Sequence, residues 1–200
     1  YFVTRNQSAI IAFKVSRKDY SGFHIAASHS DSPTLKIKES SEMNIENQYV
    51  KLNVEKYGGM LCAPWFDRPL SVAGRIIVKD GNRLTTKLIN VDRDLLMIPN
   101  LAIHMNREVN DGYKYNIQKD MLPLYRMSNS GKAFKEMIAE EAGVSVDQIK
   151  GMDLFLYNRM EGTVWGCDGE FISAPRLDDL QCAFTSTMAL LNSESDRCIP

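Results

Sequence analysis

At Pro33 the hydrophobic pattern of this 200-residue chain changes period, and that change limits what the chain can fold into. Before it, Ala9-Ile10-Ile11-Ala12-Phe13-Lys14-Val15 and Gly22-Phe23-His24-Ile25-Ala26-Ala27 are nearly continuous in apolar character. Such runs suit strands covered on both faces, as in α/β sheets. After it, Leu35-Lys36-Ile37-Lys38 alternates, and Gln48-Tyr49-Val50-Lys51-Leu52-Asn53-Val54-Glu55 does so more loosely. Gly74-Arg75-Ile76-Ile77-Val78-Lys79 runs into Asp80-Gly81-Asn82 and out through Arg83-Leu84-Thr85-Thr86-Lys87-Leu88-Ile89. An Asp-Gly turn between such runs predicts a hairpin. Strands in quick succession predict antiparallel β structure in this stretch, not βαβ units.

Two segments read as helices. Lys132 to Ala142 has helical character, and Gly143 is placed to cap its C-terminus. Leu177 opens a second helix that runs to Leu191. Between them Val144–Ile149 leads into a strand, Met152–Tyr157. The predicted fold class is therefore α/β. An α/β part, residues 1–33 and 171–200, is interrupted by a β-rich insertion, residues 34–170.

Composition narrows the partners. With 44% hydrophobic and 24% charged residues the chain can build a sizeable core. A formal net charge of −1 gives no electrostatic reason to expect nucleic acid or an anionic membrane. No apolar run approaches the roughly 20 residues that span a bilayer. Cys62, Cys167, Cys182 and Cys198 form no CxxC pair. They read as reduced thiols in a cytoplasmic protein. The start, Tyr1-Phe2-Val3-Thr4-Arg5-Asn6, lacks an initiator Met and a signal-peptide pattern, so residues are expected to precede it. Serine nucleophile elbows, HExxH helices, Walker loops and GxGxxG turns are absent.

The candidate chemistry begins at Ser28-His29-Ser30-Asp31-Ser32-Pro33. Side chains two apart share one face of a strand, so His29 and Asp31 would sit side by side where the second apolar run ends. Read alone, each candidate has a plain structural alternative. His29 could cap a strand, Asp31 could form an Asx turn, and Asp178 could be an N-cap. His104, between apolar neighbours, could be a structural histidine.

His29-Ser30-Asp31 is followed in order by Trp65-Phe66-Asp67-Arg68, Ile98-Pro99-Asn100-Leu101-Ala102-Ile103-His104 and Ala174-Pro175-Arg176-Leu177-Asp178-Asp179-Leu180. Tyr57-Gly58-Gly59, Ala73-Gly74-Arg75 and Asn106-Arg107 add further agreement. Together these segments resemble the aspartyl aminopeptidase family of zinc exopeptidases, over nearly the whole chain. The resemblance implies a zinc-exopeptidase α/β sandwich domain, incomplete here, interrupted by a β-rich dimerisation domain. Residues 1–33 and 171–200 would be the catalytic part and 34–170 the dimerisation part.

The same resemblance assigns roles. His29 would be a terminal ligand of one of two zinc ions per full-length subunit, and Asp178 the carboxylate bridging them. Asp31 would orient a group at the metal, and His104 would reach the active site of a neighbouring subunit. Asp179 stands where the family usually has Asn, which leaves open which Asp bridges. The catalytic Glu-Glu pair and the remaining Asp and His ligands are expected beyond Pro200. Glu140-Glu141 precedes the Asp-bearing segment and is rejected as that pair. The implied activity is two-zinc aminopeptidase action on peptides with an acidic or otherwise restricted N-terminal residue. The isolated segment would be inactive. Homodimers, assembled into a larger homo-oligomer, are the expected form. The alternative is a non-catalytic oligomerisation fragment of a degenerate relative. A deacylase on the same zinc scaffold is disfavoured by the insertion motifs.

Overall fold

The structure is a computed structural model that describes residues 1–15, 19, 21–194 and 198–199, the last two by backbone alone. Strands β1 (Phe2–Arg5), β2 (Ala9–Ala12) and β3 (Gly22–Phe23) precede Pro33. Then come β4 (Thr34–Ile45), β5 (Tyr49–Tyr57), β6 (Leu70–Asp80) and β7 (Arg83–Asn90). A one-turn helix α1 (Ile117–Asp120), β8 (Leu124–Met127), helix α2 (Phe134–Ala142) and β9 (Ile149–Asn158) follow. The chain continues through β10 (Thr163–Trp165), β11 (Phe171–Ser173), helix α3 (Leu177–Asn192) and β12 (Cys198–Ile199). The mixed α/β class with a large antiparallel sheet is as expected.

Two compact units result, Pro33–Glu161 and Tyr1–Ser32 with Gly162–Pro200. The stretch 162–170, placed with the insertion from sequence, falls in the second of these, because β10 pairs with β11.

Unit 33–161 is built on a six-stranded sheet of order β7-β6-β9-β4-β5-β8. Neighbouring strands are antiparallel throughout. Alternation sets its two faces. Leu35, Ile37, Leu52, Val54, Val72, Ile76, Val78, Leu154 and Leu156 are buried in one cluster. Phe134, Met137 and Ile138 of α2 join it, as do Leu96, Ile98, Met121 and Leu122 from the connections. The intervening positions carry charge: Asp153 binds Lys36 at 3.0 Å and Arg75 at 3.2 Å, and Lys36 lies over the Phe155 ring.

Local rules explain the joints. The β6–β7 register pairs Asp80 with Arg83, leaving Gly81-Asn82 as the turn the Asp-Gly signal predicts. Gly74 has φ +150, and a Cβ there would lie 2.2 Å from the Asp153 carbonyl oxygen, so β6 and β9 can approach only through glycine. Helix α2 ends at Gly143 with φ 63, whose amide donates to the Ala139 and Glu140 carbonyls. Its first turn is capped by carboxylates: Phe134 N donates to Glu42 at 2.9 Å, and Ala133 N to Glu136 at 3.0 Å.

The other unit is different in kind. Its described residues include none that is buried. β1 and β2 form a hairpin whose turn residues Asn6 and Gln7 take positive φ. Ile10 and Ile11 of β2 remain 64% and 68% exposed, so the expectation that this apolar run is covered on both faces is not met within the chain. The Gly22–Ala27 run forms a strand only at Gly22–Phe23, paired in parallel with β12. Residues 24–33 have no regular structure, because no neighbouring strand among the described residues extends the ladder. Lys14 Nζ donates to the carbonyls of Leu191 and Ser193, tying the end of the hairpin to the end of α3.

Candidate metal centre

Since residues 24–33 are irregular, His29 and Asp31 are not side-by-side residues of a strand. A different geometry joins them. The His29 Nδ1 atom lies 2.8 Å from the Asp31 backbone carbonyl oxygen and 3.4 Å from its carboxylate. A carbonyl can only accept, so Nδ1 carries the proton and donates. In the neutral ring the lone pair is then on Nε2, the form a metal requires.

Nε2 faces the α3 end. Asp178 and Asp179 lie at the start of α3 with non-helical backbone, φ −86, ψ 111 and φ −118, ψ 22, joined by a cis peptide. Asp178 Oδ1 lies 3.2 Å from His29 Nε2, while the nearer Asp179 oxygen is 4.0 Å away. Asp179 accepts a 3.1 Å hydrogen bond from the His29 amide, and Ser32 Oγ donates to the Asp178 carbonyl at 3.2 Å.

Electrostatics follow from this packing. The bond to the Asp31 carbonyl raises the His29 pKa above its usual value, and the Asp179, Asp31 and Asp178 carboxylates push it the same way. Asp179 is held below the usual carboxylate range by bonds from the Cys182 thiol and the His29 amide. The same thiol bond raises Cys182.

The residues present can be tested against zinc. Two ligands bound at about 2.0–2.1 Å in a tetrahedral arrangement stand roughly 3.3 Å apart. The 3.2 Å between His29 Nε2 and Asp178 Oδ1 matches that separation. An imidazole with its other nitrogen fixed and a carboxylate are also the right donor types. The pair fits as part of a zinc site. Among the described residues, no group of three or more His, Cys, Asp or Glu gathers to hold an ion.

His104 lies in unit 33–161, exposed in an irregular loop. That loop is fastened at its start. The Asp67 carboxylate accepts from Asn100 N at 2.9 Å and from Asn100 Nδ2 at 3.2 Å. Asp67, a turn residue with φ 55, thus serves as a loop clamp. Phe66 is in the core, with Trp65 packed against it. Glu140 and Glu141 pair with Lys132 and Arg93 on the surface. Three contacts escaped the sequence reading: the Asp67–Asn100 clamp, the Ser32 bond to the Asp178 carbonyl and the Asp179 bond from the His29 amide. The adjacency of two carboxylates at 178–179 was the one available signal.

The structure thus presents an α/β chain with a large antiparallel sheet and an imidazole facing a carboxylate. Comparison with known proteins supplies the rest. The aminopeptidase I zinc metalloprotease (M18) family matches residues 1–199. A probable M18 family aminopeptidase 2 of Clostridium acetobutylicum is 48% identical over 203 residues, covering 97% of this chain and 47% of that protein. Its namesake in Clostridium novyi is 43% identical, covering 96% of this chain and 46% of its own length. Among solved structures, a chain of the Ape4 and Nbr1 complex has a TM-score of 0.88 at 33% identity, covering 100% of this chain and 43% of that one. The mApe1 of Chaetomium thermophilum has 0.84 at 36%, covering 100% and 49%. The Saccharomyces cerevisiae mApe1 dodecamer shares the fold, with 0.76 at 24% identity and coverage of 99% and 47%. This chain belongs to the aminopeptidase I zinc metalloprotease (M18) family. It spans about half the length of the curated relatives it matches.

Proposed function

We propose that the protein containing this chain is a zinc aminopeptidase that removes N-terminal residues from peptides, and that His29 and Asp178 are two of its metal ligands. The observation that carries this reading is the 3.2 Å approach of His29 Nε2 to Asp178 Oδ1, with Nδ1 held by the Asp31 carbonyl. Family membership and the probable aminopeptidase relatives support the reaction class.

Zinc in such a site supplies a Lewis acid for the scissile carbonyl and acidifies water. The chain's own contributions are positional. Asp31 fixes the His29 tautomer through its carbonyl and adds negative charge beside the ring through its carboxylate. Asp178 would hold both ions of a two-zinc site, the role that the family resemblance implies, and its side chain is 94% exposed. Preference for an acidic or otherwise restricted N-terminal residue belongs to the same proposal.

Unit 33–161 is the candidate dimerisation domain and the flanking unit the catalytic part. A closed homo-oligomer is proposed by analogy with the dodecameric yeast mApe1. His104 is the candidate residue acting on a neighbouring subunit's site. Among the described residues no helix is long and apolar enough to cross a membrane. A cytoplasmic location remains part of the proposal.

The test is made on the full-length protein. His29→Ala and Asp178→Asn are expected to abolish hydrolysis of aminoacyl peptides and to lower bound zinc, with melting temperature retained. Wild-type turnover by purified His29→Ala protein rules the assignment out.

A further inference from the structure

The geometry points to a two-point fastening, from the His29 amide to the Asp179 carboxylate and from the Ser32 hydroxyl to the Asp178 carbonyl, that presets the distance between the two ligand side chains before metal arrives. Asp179 and Ser32 are positioning residues in this scheme. The inference rests on the metal-centre reading and adds to it how the centre is assembled.

Neither side of the centre is regular structure: residues 24–33 form no ladder, and Asp178 and Asp179 are outside helical φ/ψ. A ligand on an irregular segment is free to drift unless something pins that segment. Here each segment supplies one backbone group and one side chain to the other. His29 gives its amide and Ser32 its hydroxyl; Asp178 gives its carbonyl and Asp179 its carboxylate. The two bonds bracket His29 and Ser32, so the stretch that carries Asp31 is held at both ends.

Asp179 is suited to the pin and Asp178 to the ion. The Asp179 side chain is 19% exposed, against 94% for Asp178. At 4.0 Å from Nε2, Asp179 stands farther from the imidazole than Asp178 does at 3.2 Å. The neighbouring carboxylates thus divide the labour, one toward the ion and one toward the backbone that carries the imidazole.

Cobalt(II) titration of the metal-stripped full-length protein tests this, with bound ion read by visible absorption and His29→Ala as control. Asp179→Ala should weaken His29-dependent binding by about 10–100-fold. Asp179→Asn should stay close to wild type, because its amide oxygen still accepts from the His29 amide. Ser32→Ala should fall between the two. Wild-type affinity in Asp179→Ala overturns the inference, as does an Asn variant that falls as far as the Ala variant. If Asp179→Ala does not fold by circular dichroism, retention in the Asn variant with loss in Ser32→Ala is the expected pattern, and loss in the Asn variant overturns it. Equal binding by wild type and His29→Ala instead removes the metal-centre reading. The fastening is then decided by hydrogen exchange at the His29 amide of metal-free protein: faster in Asp179→Ala than in Asp179→Asn is expected, and equal rates overturn it.

Discussion

At the scale of single residues, position matters more than type. Asp67, Asp178 and Asp179 are all acidic, yet one clamps a loop, one faces an imidazole and one binds a backbone amide. The Asp67 clamp predicts a local effect. Asp67→Ala frees the Asn100 amide, so amides of residues 99–105 should exchange faster in hydrogen-exchange mass spectrometry, with little change in the sheet. Unchanged rates there would show that the clamp does not restrain the His104 loop. Gly74 is the opposite case, a residue defined by what it lacks. Gly74→Ala would push a methyl against the Asp153 carbonyl oxygen in the middle of the sheet. Chemical denaturation should show a loss of about 1–3 kcal/mol.

At the scale of elements, α2 shows how a short helix is held. Its apolar residues Phe134, Met137 and Ile138 are buried under the sheet, its first amides are capped by Glu42 and Glu136, and Gly143 ends it. Glu42 also pairs with Arg126 at 3.5 Å. Glu42→Ala leaves the Phe134 amide unpaired and should cost about 1–3 kcal/mol. Gly143→Ala forces an L side chain into the left-handed region and should cost about 1–2 kcal/mol. The helix also carries a pH signature. Lys132 holds the Glu140 carboxyl below its usual range by a hydrogen bond and by charge. A carboxyl depressed in the folded state stabilises above its unfolded pKa, and that contribution is lost as pH falls through the folded value. Lys132→Ala should therefore lower stability slightly at neutral pH, and by less as pH falls below the ordinary glutamate value of about 4.3. Urea midpoints across that window check the sign.

At the scale of the molecule the two units differ in what holds them. Unit 33–161 contains the whole buried cluster. Expressed alone, it should unfold cooperatively and bind little hydrophobic dye. The flanking unit presents Phe2, Ile25, Trp165, Phe184 and Leu191 to solvent. Apolar exposure of this kind predicts stronger dye binding by the 200-residue chain than by 33–161 alone. A 33–161 piece that binds as much dye as the chain would contradict the assignment of the core. Subunit exchange tests the proposed role of His104. Mixed dimers of His104→Ala and His29→Ala subunits of the full-length protein contain one site with both groups if His104 acts across the interface, so activity should reappear on mixing. No recovery after confirmed exchange places His104 in its own subunit or in the fold alone.

What the sequence determined by itself was what short-range chemistry encodes. The Asp80-Gly81 signal became a hairpin, alternation became a sheet with one buried face, and Gly143 ended a helix, since each depends on residues a few positions apart. The ordered motifs from His29 to Asp178 were enough to reach the M18 family, because their order survives whatever the local conformation is. The local form of the centre was not legible. The apolar run before His29 read as a strand, but a strand needs a neighbour to take its hydrogen bonds, and beyond Phe23 the described residues offer none. Asp178 and Asp179 read as the first turn of a helix, and only tertiary contacts with His29 and Ser32 show them leaving it. Which of two adjacent carboxylates faces the imidazole is a matter of a few ångströms, 3.2 against 4.0, and depends on bonds spanning about 150 residues. No local pattern carries that information, so it fell to the tertiary structure to decide.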